Sequence, residues 1–222
     1  MPLKLYLVRH GETPYNVAAR YQGHQDSPLT PRGREQARRL RQRLASVRFV
    51  AAYSSDLRRT RQTLQLALAG RQLPRAYSPL WREVSYGRWE GLTYEEVKAR
   101  WPAELRARYR HPESVAPSGG ENMSDLRDRV LQGVQAIQGQ HRGGAVLVVS
   151  HGGPLRVLLC HLLGLGPDRF WTLRLDTCGV SVVELYRSSA ILSLLNDTGH
   201  LDGLYTPEAN PSLRRPKTRV GP

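Results

Sequence analysis

Leu3-Lys4-Leu5-Tyr6-Leu7-Val8-Arg9-His10-Gly11-Glu12-Thr13 is the stretch whose reading decides the fold. Its first half, Leu3–Val8, is a short, mostly apolar run of buried-strand length. It stops abruptly at a charged, glycine-containing loop. The same pattern returns twice. Phe49–Tyr53 runs into Ser54-Ser55 and then Arg58-Arg59, and Ala145–Val149 runs into Ser150-His151-Gly152-Gly153. Helical segments lie between these runs. Thr30 reads as an N-cap with Pro31 at the first helical position, and Leu40 and Leu44 sit one turn apart behind them. Asp56 or Ser55 is expected to cap a second helix through about Leu68, stopped by Gly70. Further helices are expected from about Ser124 to Gln140 and from Pro154 through Leu163. Strands alternating with helices predict an α/β layered fold with a mostly parallel central sheet. Such sheets bind ligands beyond the carboxyl ends of their strands. The three polar segments fall there.

The remaining chain reads more loosely. Residues 9–29 are a polar, Gly-containing loop. Ala76–Leu80 is expected as a strand and residues 81–92 as loop. Thr93 and Glu96 form a capping box that opens a short helix, which Pro102 interrupts or restarts. Pro112, Pro117, Gly119 and Gly120 mark another loop. Val180–Tyr186 and Ile191–Leu195 are expected to pair as a hairpin through Ser188-Ser189.

The 222 residues contain no composition break that would serve as a linker. The expected organisation is one domain over 1–206, with a helical and loop cap at about 81–120 and a basic, flexible tail at 207–222. Cys160 and Cys178 fit neither a disulfide framework nor a zinc spacing, and sparse cysteine suits a cytoplasmic location. The apolar run before Arg9 is too short for a secretory leader, and no run approaches the ~20 apolar residues of a membrane span. The formal charge is +14, nearly all from arginine, since Lys4, Lys98 and Lys217 are the lysines. Nucleic acid is one partner such charge could serve. The arginines are scattered and carry no nucleic-acid motif, so a solvated surface that attracts anionic substrates is the preferred reading.

Phosphoryl transfer needs what the three rim segments offer. The equatorial oxygens require fixed positive charge and donors. Arginine binds phosphate bidentately, and a helix N-terminus adds backbone N–H groups. A histidine among arginines stays neutral and nucleophilic. A carboxyl group must protonate the departing oxygen. Taken singly, each of these residues also has a structural explanation in capping, packing or solvation.

Leu7-Val8-Arg9-His10-Gly11-Glu12-Thr13 resembles the RHGE signature of the histidine phosphatase (phosphoglycerate mutase-like) superfamily. The resemblance continues through Asn16, Gln22-Gly23, Ser54–Thr63, Trp81-Arg82-Glu83, Gly87–Gly91, Gly119-Gly120-Glu121, Ser150–Gly153 and Asn196–Leu201. It implies a three-layer α/β/α sandwich and a phosphatase acting without a metal or cofactor. His10 would be the covalent nucleophile and Glu83 the proton donor. Arg9, Arg59 and His151 would hold the phosphoryl oxygens, with Asn16, Gln22, Gly23 and Gly152 around phosphate or substrate. For Gln22 and His24, substrate contact and loop hydrogen bonding are both open. Arg58 reads as an exposed helix residue, Glu12 as a supporting residue near the loop, His161 as a packed or partly buried helix residue, and His111, His141 and His200 as surface or loop residues. The compact segment between Gly91 and Gly119 resembles the phosphatase branch more than the mutases, which leaves a 2,3-bisphosphoglycerate-dependent mutase as the alternative and a non-catalytic anion- or nucleic-acid-binding protein as a remote one. Arg82, Arg88, Arg106, Arg108 and Arg110 hint at a second anionic group on the substrate. The expected partner is a small phosphomonoester, and a homodimer is compatible with this reading.

Overall fold

The computed structural model describes residues 2–205, so the tail expected at 207–222 lies outside the described residues. Six strands, β1 (Leu3–Arg9), β2 (Phe49–Ser54), β3 (Arg75–Tyr77), β4 (Gly144–Ser150), β5 (Val180–Leu185) and β6 (Ala190–Asp197), form one sheet in the order β3-β2-β4-β1-β5-β6. β1, β4, β2 and β3 pair in parallel, and β5 runs antiparallel to both β1 and β6. The helices are α1 (Pro14–Val17), α2 (Pro31–Arg43), α3 (Arg58–Ala67), α4 (Tyr94–Arg100), α5 (Pro102–Arg110), α6 (Met123–Gln140) and α7 (Gly152–Leu162).

The inner strands β1, β2, β4 and β5 carry buried apolar residues on both faces, as a sheet covered on two sides requires. Side chains alternate with a period of two. Leu3, Leu5 and Leu7 of β1 join Val146 and Val148 of β4 in one core, which Leu126, Val130, Val134 and Ile137 of α6 and Leu155, Leu158 and Leu159 of α7 cover. Val8 of β1 joins Leu147 and Val149 in the other, under Leu40 of α2 and Leu64 of α3. Three layers therefore follow from the burial pattern: α2 and α3, the sheet, then α6 and α7. A third, smaller cluster of Trp89, Val97 and Leu105 supports α4 and α5. Trp101 ends α4 and begins α5, so Pro102 restarts the helix.

Local chemistry moves several boundaries. Asp56 and Ser55 do not cap α3. Leu57 holds the N-cap position without a side-chain bond, Asp56 pairs with Arg82, and the Arg58 N–H is taken by Asp26 Oδ1 at 2.8 Å. β3 ends at Tyr77 because Ser78 caps a 3-10 turn over Pro79–Trp81. The 9–29 loop contains α1, closed by a Thr13–Asn16 capping box. Asn122 starts α6 one residue early, and α7 begins at Gly152 before Pro154. β5 and β6 form the expected hairpin, with the Tyr186 N–H donating to the Ser189 carbonyl at 2.9 Å. His161 is exposed rather than packed. His141 has a partner after all, Tyr53, 2.8 Å from its Nε2. Cys160 and Cys178 are buried free thiols. Among the described residues no helix is long and apolar enough to cross a membrane.

Candidate active site

β1 and β4 are parallel neighbours in a register that pairs Arg9 with Ser150. The next residue of each strand therefore emerges at the same edge of the sheet. These residues are His10 and His151, with ring centroids 5.1 Å apart. The His10 N–H donates to the Ser150 carbonyl at 2.9 Å, continuing the ladder by one step. Both rings are buried, His10 at 3 % and His151 at 0 % exposure.

Hydrogen bonding fixes the tautomer of each ring. His10 Nδ1 lies 2.8 Å from the Gly11 carbonyl. A carbonyl can only accept, so Nδ1 carries the proton and Nε2 carries the lone pair. Arg59 Nε donates to His151 Nδ1 at 3.1 Å. A guanidinium can only donate, so His151 is protonated on Nε2. That buried N–H meets no acceptor among the described residues, which makes it a donor suited to an anion. Burial, then Arg59 and Arg9, hold the His10 imidazolium well below the usual histidine range. Burial, then Arg59 and His10, do the same to His151.

Arg59 is fully buried on the first turn of α3. Its Nη1 donates to the Gln25 carbonyl at 2.9 Å and its Nη2 to the Gly23 carbonyl at 2.7 Å. Burial lowers its pKa to about 10, so it stays cationic at neutral pH. Arg9, at 8 % exposure, donates through Nη1 to the Leu175 carbonyl at 2.9 Å. Glu83 lines the same cleft as Arg9, His10 and Arg59. Its Oε1 accepts from the Gly153 N–H at 3.0 Å and the Val84 N–H at 2.9 Å. Gly153 sits in the first turn of α7, where backbone N–H groups lack partners within the helix. A Cβ at Gly153 would collide with that oxygen. A Cβ at Gly152 would crowd Arg156 Nη1 at 3.2 Å and approach Arg9 Nε at 3.6 Å.

Arg9, His10, Asn16, Gln22, Gly23, Arg59, Glu83 and Gly152 line one cleft, with His151 directly behind His10 and Arg59. Gln22 accepts from Thr13 Oγ1 at 3.1 Å and donates to Ser27 Oγ at 2.7 Å, so its amide already serves the loop. Asn16 Oδ1 accepts from the Thr13 N–H at 3.0 Å. His24 stands outside the cleft lining, with Nε2 bonded to the Glu83 carbonyl at 2.8 Å. Glu12 accepts from Thr30 Oγ1 at 2.7 Å. The five arginines expected to favour a second anion lie elsewhere. Arg82 pairs with Asp56, Arg88 with Glu104, and Arg108 bonds the Pro112 and Val115 carbonyls. None of the five lines the cleft, which draws instead on Arg20 and Arg156.

Two supporting residues escaped sequence reasoning. The Glu90 carboxylate accepts from the His24 and Tyr86 N–H groups at 2.9 and 3.1 Å and from the Gln25 N–H at 3.2 Å. It thereby ties down the loop whose carbonyls hold Arg59. Gly23, at φ +52°, lies so close to Glu90 that a side chain there would collide with the carboxylate. Arg129 donates to the carbonyls of Leu80, Arg82 and Glu83 at 2.9, 2.8 and 2.9 Å and pairs with Glu121. Neither carries a local sequence signal of its role. Arg156 does, because it lies four residues after Gly152 on the same helix face.

The geometry offers an uncharged imidazole nitrogen, two guanidinium groups, a buried N–H donor and a carboxyl group around one point. Among the described residues no three His, Cys, Asp or Glu side chains converge as a metal-binding set. The family model of the histidine phosphatase superfamily (branch 1) matches residues 5–198. Phosphoserine phosphatase 1 of Hydrogenobacter thermophilus is 34% identical over 203 residues, 91% of this chain and 96% of its own. The adenosylcobalamin/α-ribazole phosphatase of Escherichia coli is 32% identical over 194 residues, 87% of this chain and 96% of its own. The solved structure of Bacillus stearothermophilus YhfR superposes with a TM-score of 0.85 at 35% identity, covering 90% of this chain and 99% of that one. The chain belongs to the histidine phosphatase superfamily, branch 1, and is a phosphoric monoester hydrolase.

Proposed function

We propose that the enzyme hydrolyses small phosphomonoesters in two steps through a phosphohistidine on His10. The observation that carries this reading is the His10 tautomer: Nδ1 is committed to the Gly11 carbonyl, leaving the Nε2 lone pair for attack. In the first step Nε2 bonds to phosphorus as the bond to the leaving oxygen breaks. Protonated Glu83 gives that oxygen its proton and the alcohol departs. In the second step water attacks phosphorus, Glu83 recovers a proton from it, and the N–P bond breaks. Phosphate and neutral His10 are regenerated. Arg9, Arg59 and the His151 Nε2–H stabilise the equatorial oxygens in both steps, with Asn16 adding a hydrogen bond. The guanidinium groups supply the charge that a metal would otherwise provide.

Cleft size supports a small substrate. Its volume of about 140 Å³ is well under the ~300–1,000 Å³ of pockets that take drug-sized ligands. Purified protein is expected to release phosphate from p-nitrophenyl phosphate with EDTA present, and His10→Ala to remove the activity. Full activity in that variant would sink the mechanism. Interconversion of 3- and 2-phosphoglycerate, stimulated by 2,3-bisphosphoglycerate and outpacing phosphate release, would reassign the second acceptor from water to substrate.

A further inference from the structure

Aromatic rings form part of the cleft wall. Tyr21 and Tyr86, with centroids 4.8 Å apart, form one part of the wall. Phe170 and Trp171, packed edge to face at 4.7 Å, form another. They sit on a 3-10 turn at Pro167–Thr172, a segment that hydrophobic patterning did not single out. Arg156 secures this turn. Its Nε donates to the Leu173 carbonyl at 2.8 Å, and its guanidinium lies 5.8 and 5.7 Å from the Phe170 and Trp171 ring centres. Tyr109 of the cap packs on Trp171 at 6.0 Å. The rings are more than core filling, because Tyr21, Tyr86 and Trp171 keep part of their surface open while lining the cleft.

The charges of the cleft are one-sided. Among the described residues Glu83 is its one lining carboxylate, set against Arg9, Arg59 and Arg156, while the fourth lining arginine, Arg20, is paired with Glu96 at 2.9 Å. Glu83 is occupied at the α7 N-terminus, where it accepts from the Gly153 N–H. An ammonium group on the leaving alcohol would meet arginines and no second carboxylate. A flat ring would meet aromatic faces, which favour offset or edge-to-face packing.

We infer, building on the phosphatase reading above, that the preferred substrates are phosphomonoesters whose alcohol carries a flat aromatic or heteroaromatic ring and no positive charge. Trp171 is the specificity-determining residue, and the buried Phe170 positions it from behind. The test compares benzyl phosphate with cyclohexylmethyl phosphate. Both release a primary alcohol of similar size and differ mainly in the flatness and π-character of the ring. The wild-type enzyme is expected to favour benzyl phosphate by about tenfold in kcat/KM, mostly through KM. It should use phosphoserine less well than benzyl phosphate. Trp171→Leu is expected to bring the benzyl-to-cyclohexylmethyl ratio toward one. Equal use of the two ring substrates by the wild type would overturn the inference and leave the phosphatase reading standing, as would a preference for phosphoserine. An unchanged ratio in both Trp171→Leu and Phe170→Leu, with folding verified by circular dichroism, would also overturn it. No phosphate from any of the three substrates would overturn the hydrolytic reading itself.

Discussion

His10 has its proton on Nδ1, where the Gly11 carbonyl holds it, and burial together with two nearby guanidinium groups keeps the ring neutral. Glu83 faces the same cleft from the α7 N-terminus. Its proposed work is at the leaving oxygen, so Glu83→Gln should harm poor leaving groups most. With an alkyl phosphate kcat is expected to fall about 10²–10⁴-fold, and with p-nitrophenyl phosphate much less. Equal losses on both substrates, measured at steady state, would remove Glu83 from proton transfer. At this scale legibility was uneven. Arg9, His10, Arg59, Glu83 and His151 stand in recognisable blocks, and the fold gathers them at one cleft. Glu90 and Arg129 act through backbone groups distant in sequence, so no local pattern exposes them. The cap arginines misled because composition does not say where a side chain's partner lies. Arg82 and Arg88 are satisfied by Asp56 and Glu104 instead of substrate.

Helix ends do much of the positioning at the level of elements. The parallel β1–β4 register sets His10 beside His151, and α7 starts where β4 stops, so the Gly153 N–H in its first turn meets Glu83. Gly153→Ala is expected to push Glu83 aside, since the added Cβ would overlap Oε1. Activity on alkyl phosphates should drop at least tenfold while the fold, read by circular dichroism, persists. Unaltered kcat in that variant would mean that Glu83 has room to spare. The long elements were legible from apolar periodicity and from caps such as Thr30, which accepts from the Gly33 N–H at 2.9 Å. The cap of α3 was not, because Asp26 supplies it from 32 residues upstream. Short 3-10 turns at Pro79–Trp81 and Pro167–Thr172 also escaped, being too brief for periodicity to register. The second of these carries the aromatic wall.

Across the whole molecule, two buried neutral histidines link stability to pH. His10 and His151 are both held well below their usual value, mainly by burial. The unfolded chain therefore binds protons first as pH falls through about 6.5. Stability is fully present above that pH. It is lost below it by about 1 kcal/mol per pH unit for each histidine, until the folded-state rings titrate. Urea midpoints between about pH 7 and pH 5 should show this fall, and a His10→Gln, His151→Gln variant should show a shallower one. Identical slopes would place the acid sensitivity elsewhere. The chain's formal charge is +14 and its cleft is lined by four arginines, a balance that draws phosphate esters toward His10. What His10 does with the phosphoryl group is most directly tested by trapping the enzyme during turnover. Protein mixed with radiolabelled phosphomonoester and quenched in alkali should carry acid-labile label on the peptide containing His10, and His10→Ala should carry none. Steady hydrolysis with no labelled protein, or with label on another residue, would contradict the phosphohistidine mechanism.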